Sequence, residues 1–228
     1  MAAKPTIYIV CSDRHRNGKT LLARVLVDYL MLEGKDPFVI DACFPEGPLR
    51  AAFPGRTALV DFTQVQGQMK LFDTILGSLG RDYVIDLPAP QMENFFETLR
   101  KLGFQEEAER MGFQLVVLFI VDKELASLNA ADDVRDAIAP DMLVAVRNDY
   151  VGSSLTDQTG FFSIDIPILD REIIPIIEDK RFSFRAFLLG EHSSLSPPHI
   201  TKLRIFLYEV MRALREIEPA RSLLKLRQ

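Results

Sequence analysis

Cysteine is scarce in this chain of 228 residues, where only Cys11 and Cys43 occur. That excludes a disulfide scaffold and makes a reduced, cytoplasmic setting the expectation. No run of about 18 apolar residues exists, so no transmembrane segment is expected. The N-terminus lacks signal-peptide form, because Lys4 and Pro5 lead straight into an apolar strand. Positive charge is not in excess either. The formal net charge is −5, so bulk electrostatics give no support for nucleic-acid binding, although a local basic patch remains open. Internal repeats and low-complexity linkers are absent. Apolar residues make up 48% of the chain, enough to give a single domain over residues 1–228 a proper core.

Against these absences stands Thr6–Cys11, an apolar strand, followed by the polar loop Ser12–Asn17 and then Gly18–Lys19–Thr20 opening a helix. Strand, loop and Gly-Lys-Thr helix start are the context of a phosphate-binding P-loop. The helix N-terminus offers unpaired N–H groups and a positive dipole end. Lys19 can reach terminal phosphates, and the Thr20 hydroxyl can hold Mg²⁺. Glycine is missing where the full pattern wants it, since position 13 is Asp, and the loop is built from Arg14, His15, Arg16 and Asn17. Two arginines at a positive helix end are costly without an anion, which favours an anionic ligand. The phosphate-contacting set is therefore Arg16, Asn17, Gly18, Lys19, Thr20 and Leu21.

Helical spacing of Leu22, Val25, Leu26, Tyr29 and Leu30 predicts a helix to about Glu33, stopped by Gly34. Pro37–Asp41 reads as a buried strand ending in an acid. The Pro- and Gly-rich stretch Phe44–Arg56 reads as loop, and Thr57–Phe62 as a short strand. Gln66–Leu79 is expected to be helical. Asp82–Pro88 is a second strand that delivers an acid, Asp86. Helix Met92–Leu102, strand Phe113–Val121, helix Leu125–Ile138, strand Met142–Val146 closing on Asn148, and strand Phe161–Ile166 follow. The region from about residue 170 reads as helical: Arg171–Glu178, Phe182–Leu189, and a long helix from about Pro198 to Glu218 with one apolar stripe. Alternating strands and helices argue for an α/β fold of P-loop NTPase type, a mostly parallel sheet with helices on both faces. The P-loop, Asp41, Asp86 and Asn148 would then share the C-terminal rim of the sheet, where ligands bind.

In frame, Ser12–Asp13–Arg14–His15–Arg16–Asn17–Gly18–Lys19–Thr20 resembles the deviant P-loop of the ParA/MinD partition and septum-positioning ATPases, Ser-x-Lys-Gly-Gly-x-Gly-Lys-Thr. Asp41–Ala42–Cys43 is similar to that family's Asp-x-Asp, and Asp82–Pro88 to its Walker B strand, one apolar residue shorter. Asn148 resembles its base-reading Asn, and Ile166–Pro167 its Ile/Val-Pro. The likeness spans roughly the first three-quarters of the chain. It implies ATP and Mg²⁺ as ligands, a nucleotide-dependent homodimer, and a DNA or protein partner in partition, mobilisation or cell positioning. By the same likeness Thr20 and Asp86 hold Mg²⁺, Asp41 orients the attacking water, Asn148 contacts the base, and Arg14 stands in for the signature lysine that acts across the dimer. The departures are specific. His15 and Arg16 replace glycines, and Cys43 replaces the second acid, which weakens hydrolysis more than binding. The alternatives are a degenerate nucleotide-binding scaffold and an ATP-dependent ligase of dethiobiotin-synthetase-like fold. The C-terminal cations Arg212, Arg215, Arg221, Lys225 and Arg227 read as a solvated face or as a patch for DNA or anionic membrane.

Overall fold

The computed structural model describes residues 4–77, 80–152, 160–179, 182–191 and 195–225. Among the described residues, seven strands form one sheet in the order β3-β2-β4-β1-β5-β6-β7. They are β1 (Thr6–Cys11), β2 (Phe38–Asp41), β3 (Thr57–Leu59), β4 (Tyr83–Asp86), β5 (Gln114–Val121), β6 (Met142–Asn148) and β7 (Phe162–Ile166). Every neighbouring pair is parallel. A parallel sheet covered on both faces needs strands apolar on both sides, and all eight residues of β5 are buried.

Alternation along each strand divides the core in two. Tyr8, Val10, Val116, Leu118, Val144 and Val146 face one side, under α1 (Lys19–Leu32), α2 (Pro48–Ala52), α7 (Ile174–Ile177), α8 (Phe184–Leu188) and α9 (Pro197–Lys225). Ile7, Ile9, Cys11, Ile85, Val117 and Phe119 face the other, under α3 (Val65–Leu76), α4 (Met92–Lys101), α5 (Phe104–Arg110) and α6 (Leu125–Ile138). The expected α/β architecture is thus observed, and all strand pairs are parallel.

Several boundaries differ from expectation for local reasons. The stretch read as loop, Phe44–Arg56, contains α2, which starts on Pro48 and whose first-turn N–H groups are taken up by the distant Asp41. The expected strand Thr57–Phe62 ends at Leu59, because β3 is an edge strand paired only with β2. Helix α5 was not anticipated; its buried contacts are only Phe104 and Ala108. The expected helix Arg171–Glu178 shrinks to Ile174–Ile177, and the last helix runs on past Glu218 to Lys225. Residues 78 and 79, the expected end of the third helix, lie outside the described residues. No helix among the described residues is long and apolar enough to cross a membrane.

Candidate functional site: the P-loop and the adjoining acidic edge

Three neighbouring strands deliver the site to one edge. Val10 of β1 is in register with Asp86 of β4, and Asp86 with Asp41 of β2. The turn after β1 therefore emerges beside two buried carboxylates, both fully shielded from solvent. The loop then climbs through Arg16, at φ 55°, to Gly18, at φ 95°. Gly18 is in the left-handed region that glycine tolerates best. A Cβ at that position would also lie 2.8 Å from Asn148 Nδ2. Helix α1 begins at the next residue with no side-chain cap and no acid in its first turn. Its leading N–H groups are thus left for an external acceptor.

The loop is braced from within. Ser12 Oγ donates to the Ile120 carbonyl at 2.8 Å and accepts from the Arg14 N–H at 3.2 Å. Asn17, 2% exposed, donates its amide to Ser12 Oγ and accepts from Lys19 Nζ at 3.1 Å. Lys19 also donates to the Arg14 carbonyl. Burial lowers the pKa of Lys19, with Asp86 the main opposing charge. Both of its acceptors are neutral, so an anionic oxygen offered at the same place is the stronger partner.

Thr20 Oγ1 donates to Asp86 Oδ2 at 2.7 Å. Asp86 Oδ1 is buried with no hydrogen-bond partner. Desolvation, with Asp41 adding to it, pushes the Asp86 carboxyl up to about 6. An orphaned carboxylate oxygen beside a hydroxyl fits a divalent cation. Asp41 behaves differently. Its Oδ1 accepts from the Cys43 N–H at 3.1 Å, and its Oδ2 from the Leu49 and Arg50 N–H groups at 2.8 and 3.0 Å. It therefore shapes the segment between β2 and α2 as well as standing at the edge.

A cavity of about 600 Å³ opens beside the loop. Arg16, Lys19, Thr20 and Leu21 line it, together with Asn148, Tyr150 and Pro167 at and just beyond the ends of β6 and β7. Asn148 is 7% exposed and donates to the Asn17 carbonyl at 2.8 Å, so it ties β6 to the loop. Its apolar lining includes Val25, Ile177 and Phe206.

Arg14 lies apart from this group. Its guanidinium meets Asp13 and Asp122 at 3.2 and 3.1 Å and also pairs with Glu124. The reading that both loop arginines call for an anionic ligand is corrected for Arg14, which these carboxylates already neutralise and whose pKa they raise, Glu124 most. Arg16, exposed and lining the cavity, has no such partner among the described residues. The partners Asp122 and Glu124 follow β5 and carry no signal that pairs them with Arg14 in the sequence. Ser127, which donates to Asp13 Oδ1 at 2.8 Å and helps fix the loop, was likewise not singled out. At the other end of the chain, Arg212 pairs with Glu209 and Glu216, and Arg215 with Glu33, as a solvated face would. The side chains of Arg221 and Lys225, and residue Arg227, lie outside the described residues.

No protein-family model matches the chain, and no curated protein matches it by sequence. Solved structures do. A chain of the MinC:MinD cell division protein complex of Aquifex aeolicus is 17% identical at a TM-score of 0.53, with 93% of this chain and 96% of that chain covered. The MinD cell division protein of the same organism is 16% identical at 0.53, covering 93% and 97%. A nucleotide-binding protein from Archaeoglobus fulgidus, in complex with ADP, is 15% identical at 0.49, covering 77% and 86%. The chain thus has the α/β fold of these MinD structures.

Proposed function

We propose that this protein is a ParA/MinD-like nucleotide-binding switch that takes ATP with a divalent cation at the P-loop, dimerises on the triphosphate, and hydrolyses it weakly. The observation that carries the reading is the uncapped start of α1 at left-handed Gly18, with Lys19 and the Thr20–Asp86 pair beside it. Phosphate oxygens would accept from the leading N–H groups of α1 and draw Lys19 from its two neutral acceptors. Arg16 and Asn17 complete the cradle, with Leu21 behind it. The base would lie along the cavity by Asn148 and Pro167. Thr20 and Asp86 would hold the cation, Mg²⁺ by the family likeness, which when bound offsets phosphate charge and orients the γ-phosphate.

Asp41 would orient the water by the family likeness, but three backbone N–H groups already engage its carboxylate. Cys43 supplies a neutral thiol where an acid would polarise water. These two features favour slow turnover, and in the limit a scaffold that binds without hydrolysis. Arg14 is our candidate for action across the dimer. Its present partners are carboxylates on its own chain, and a facing subunit's triphosphate would compete with them for the guanidinium.

Light scattering tests the switch. A non-hydrolysable ATP analogue should produce a dimer, ADP a monomer, and Arg14→Ala a monomer with either. A monomer with the analogue at all protein concentrations refutes the switch. A variant that dimerises like wild type removes Arg14 from the contact.

A further inference from the structure

The edge that carries Asp86 also carries a sulfur. Cys43 Sγ lies 3.7 Å from Asp86 Oδ2, and donor atoms of Asp41, Cys43 and Asp86 all fall within 4.8 Å of one another. We infer that these three residues form a divalent-cation site that binds through the Cys43 thiolate and selects a thiophilic ion such as Zn²⁺ or Co²⁺ over Mg²⁺. The inference rests on the reading of this edge as a cation site, and it sets the identity of the ion from this chain's own departure at position 43.

Ligand chemistry separates the two classes of ion. Tetrahedral Zn²⁺ or Co²⁺, with bonds of about 2.0 Å to oxygen and 2.3 Å to sulfur, places donors about 3.3–3.8 Å apart. Cys43 Sγ and Asp86 Oδ2, joined here by a thiol hydrogen bond of 3.7 Å, lie in that range, and the three donors, all within 4.8 Å of one another, would draw together on an ion. Octahedral Mg²⁺, with bonds of about 2.0–2.1 Å, needs adjacent donors about 2.9 Å apart and takes oxygen ligands. A thiolate sulfur therefore suits the softer ions and is a poor ligand for Mg²⁺.

An independent observation points the same way. Asp86 is fully buried, yet its Oδ1 has no partner while its Oδ2 bonds Thr20. A buried carboxylate oxygen requires a donor or a cation. Asp41 Oδ1 accepts only one of the three N–H bonds to that carboxylate, so it keeps a lone pair for a ligand bond. Cys43 is half-buried, which leaves a path for the ion. As the sulfur–metal bond forms, the thiol proton passes to water, and no electron transfer is involved.

Cobalt absorbance tests the assignment on the full chain without nucleotide. Adding Co²⁺ should raise a saturable near-ultraviolet thiolate-to-cobalt charge-transfer band. Zn²⁺ should remove the band and an excess of Mg²⁺ should not. Cys43→Ser should abolish the band although Cys11 remains, with circular dichroism reporting that the variant is folded. No band with wild type, an undiminished band with folded Cys43→Ser, or displacement by Mg²⁺ as readily as by Zn²⁺ each overturns the inference. ATP affinity in Mg²⁺ on the same preparation keeps the two readings apart. Nucleotide binding without the band sinks the thiolate site alone, and the band without nucleotide binding sinks the switch alone.

Discussion

Gly18→Ala should destabilise the protein by two separable routes, and Asn148 controls one of them. At φ 95° and ψ 11° an alanine lies in left-handed backbone, which costs roughly 1–2 kcal/mol for an L-residue. Its Cβ would also come within 2.8 Å of Asn148 Nδ2. Asn148 can yield only by giving up its 2.8 Å bond to the Asn17 carbonyl, a contact worth about 0.5–1.5 kcal/mol net. Gly18→Ala should therefore cost about 2–3 kcal/mol in the native background. In an Asn148→Ala background the collision is gone and only the backbone term of about 1–2 kcal/mol remains. The double variant should be less damaged than the sum of the singles by about 1 kcal/mol. Urea unfolding of the four proteins measures this, provided the denaturant slopes agree. Additivity within about 0.3–0.5 kcal/mol would mean that Asn148 does not press on the loop, and the described interlock between β6 and the P-loop would be wrong.

Turnover and pH supply further tests. Wild-type ATP hydrolysis should fall well below about 1 s⁻¹, and Cys43→Asp should raise it by restoring an acid; brisk wild-type turnover that slows in Cys43→Asp would show that another residue serves. Burial pushes the Asp28 carboxyl up to about 6 from an ordinary 3.8, against hydrogen bonds from the Arg185 and Phe184 backbone and the charge of Arg24. The protonated form is thus favoured in the fold, and the stability it contributes is full below about pH 3.8 and lost as pH rises through about 6, on the order of 3 kcal/mol in total. Wild-type stability relative to Asp28→Asn should fall over that interval; a difference independent of pH would refute the shift.

The local signals were legible, and the long-range ones were not. Strand β5 announces itself as an unbroken apolar run, and the β1–loop–α1 passage follows from its change of period at Gly18. Asp41 and Asp86 were placed on one rim because each ends a parallel strand, and their register confirms that placement. Helix α2 was hidden because Pro and Gly residues flank it and its cap, Asp41, lies well upstream in the chain. The sequence frame put Arg14 in the phosphate loop, but carboxylates more than a hundred residues away decide where its guanidinium goes. Side-chain pairing across loops leaves no periodicity to detect. Asn148 was expected to face a base; its amide also bonds the loop, a role that only the spacing between β1 and β6 ends can reveal.

Calorimetric titration of ATP with a divalent cation into wild type and Lys19→Ala tests the central claim most directly. Lys19 Nζ is held at the loop by the Asn17 side chain and the Arg14 carbonyl, so its removal should delete a charge-assisted phosphate contact of about 1.5–3 kcal/mol. The account predicts measurable affinity for wild type and a loss of about 10- to 150-fold for Lys19→Ala. Equal affinity in the two proteins, or no binding to wild type with any divalent cation, would contradict it.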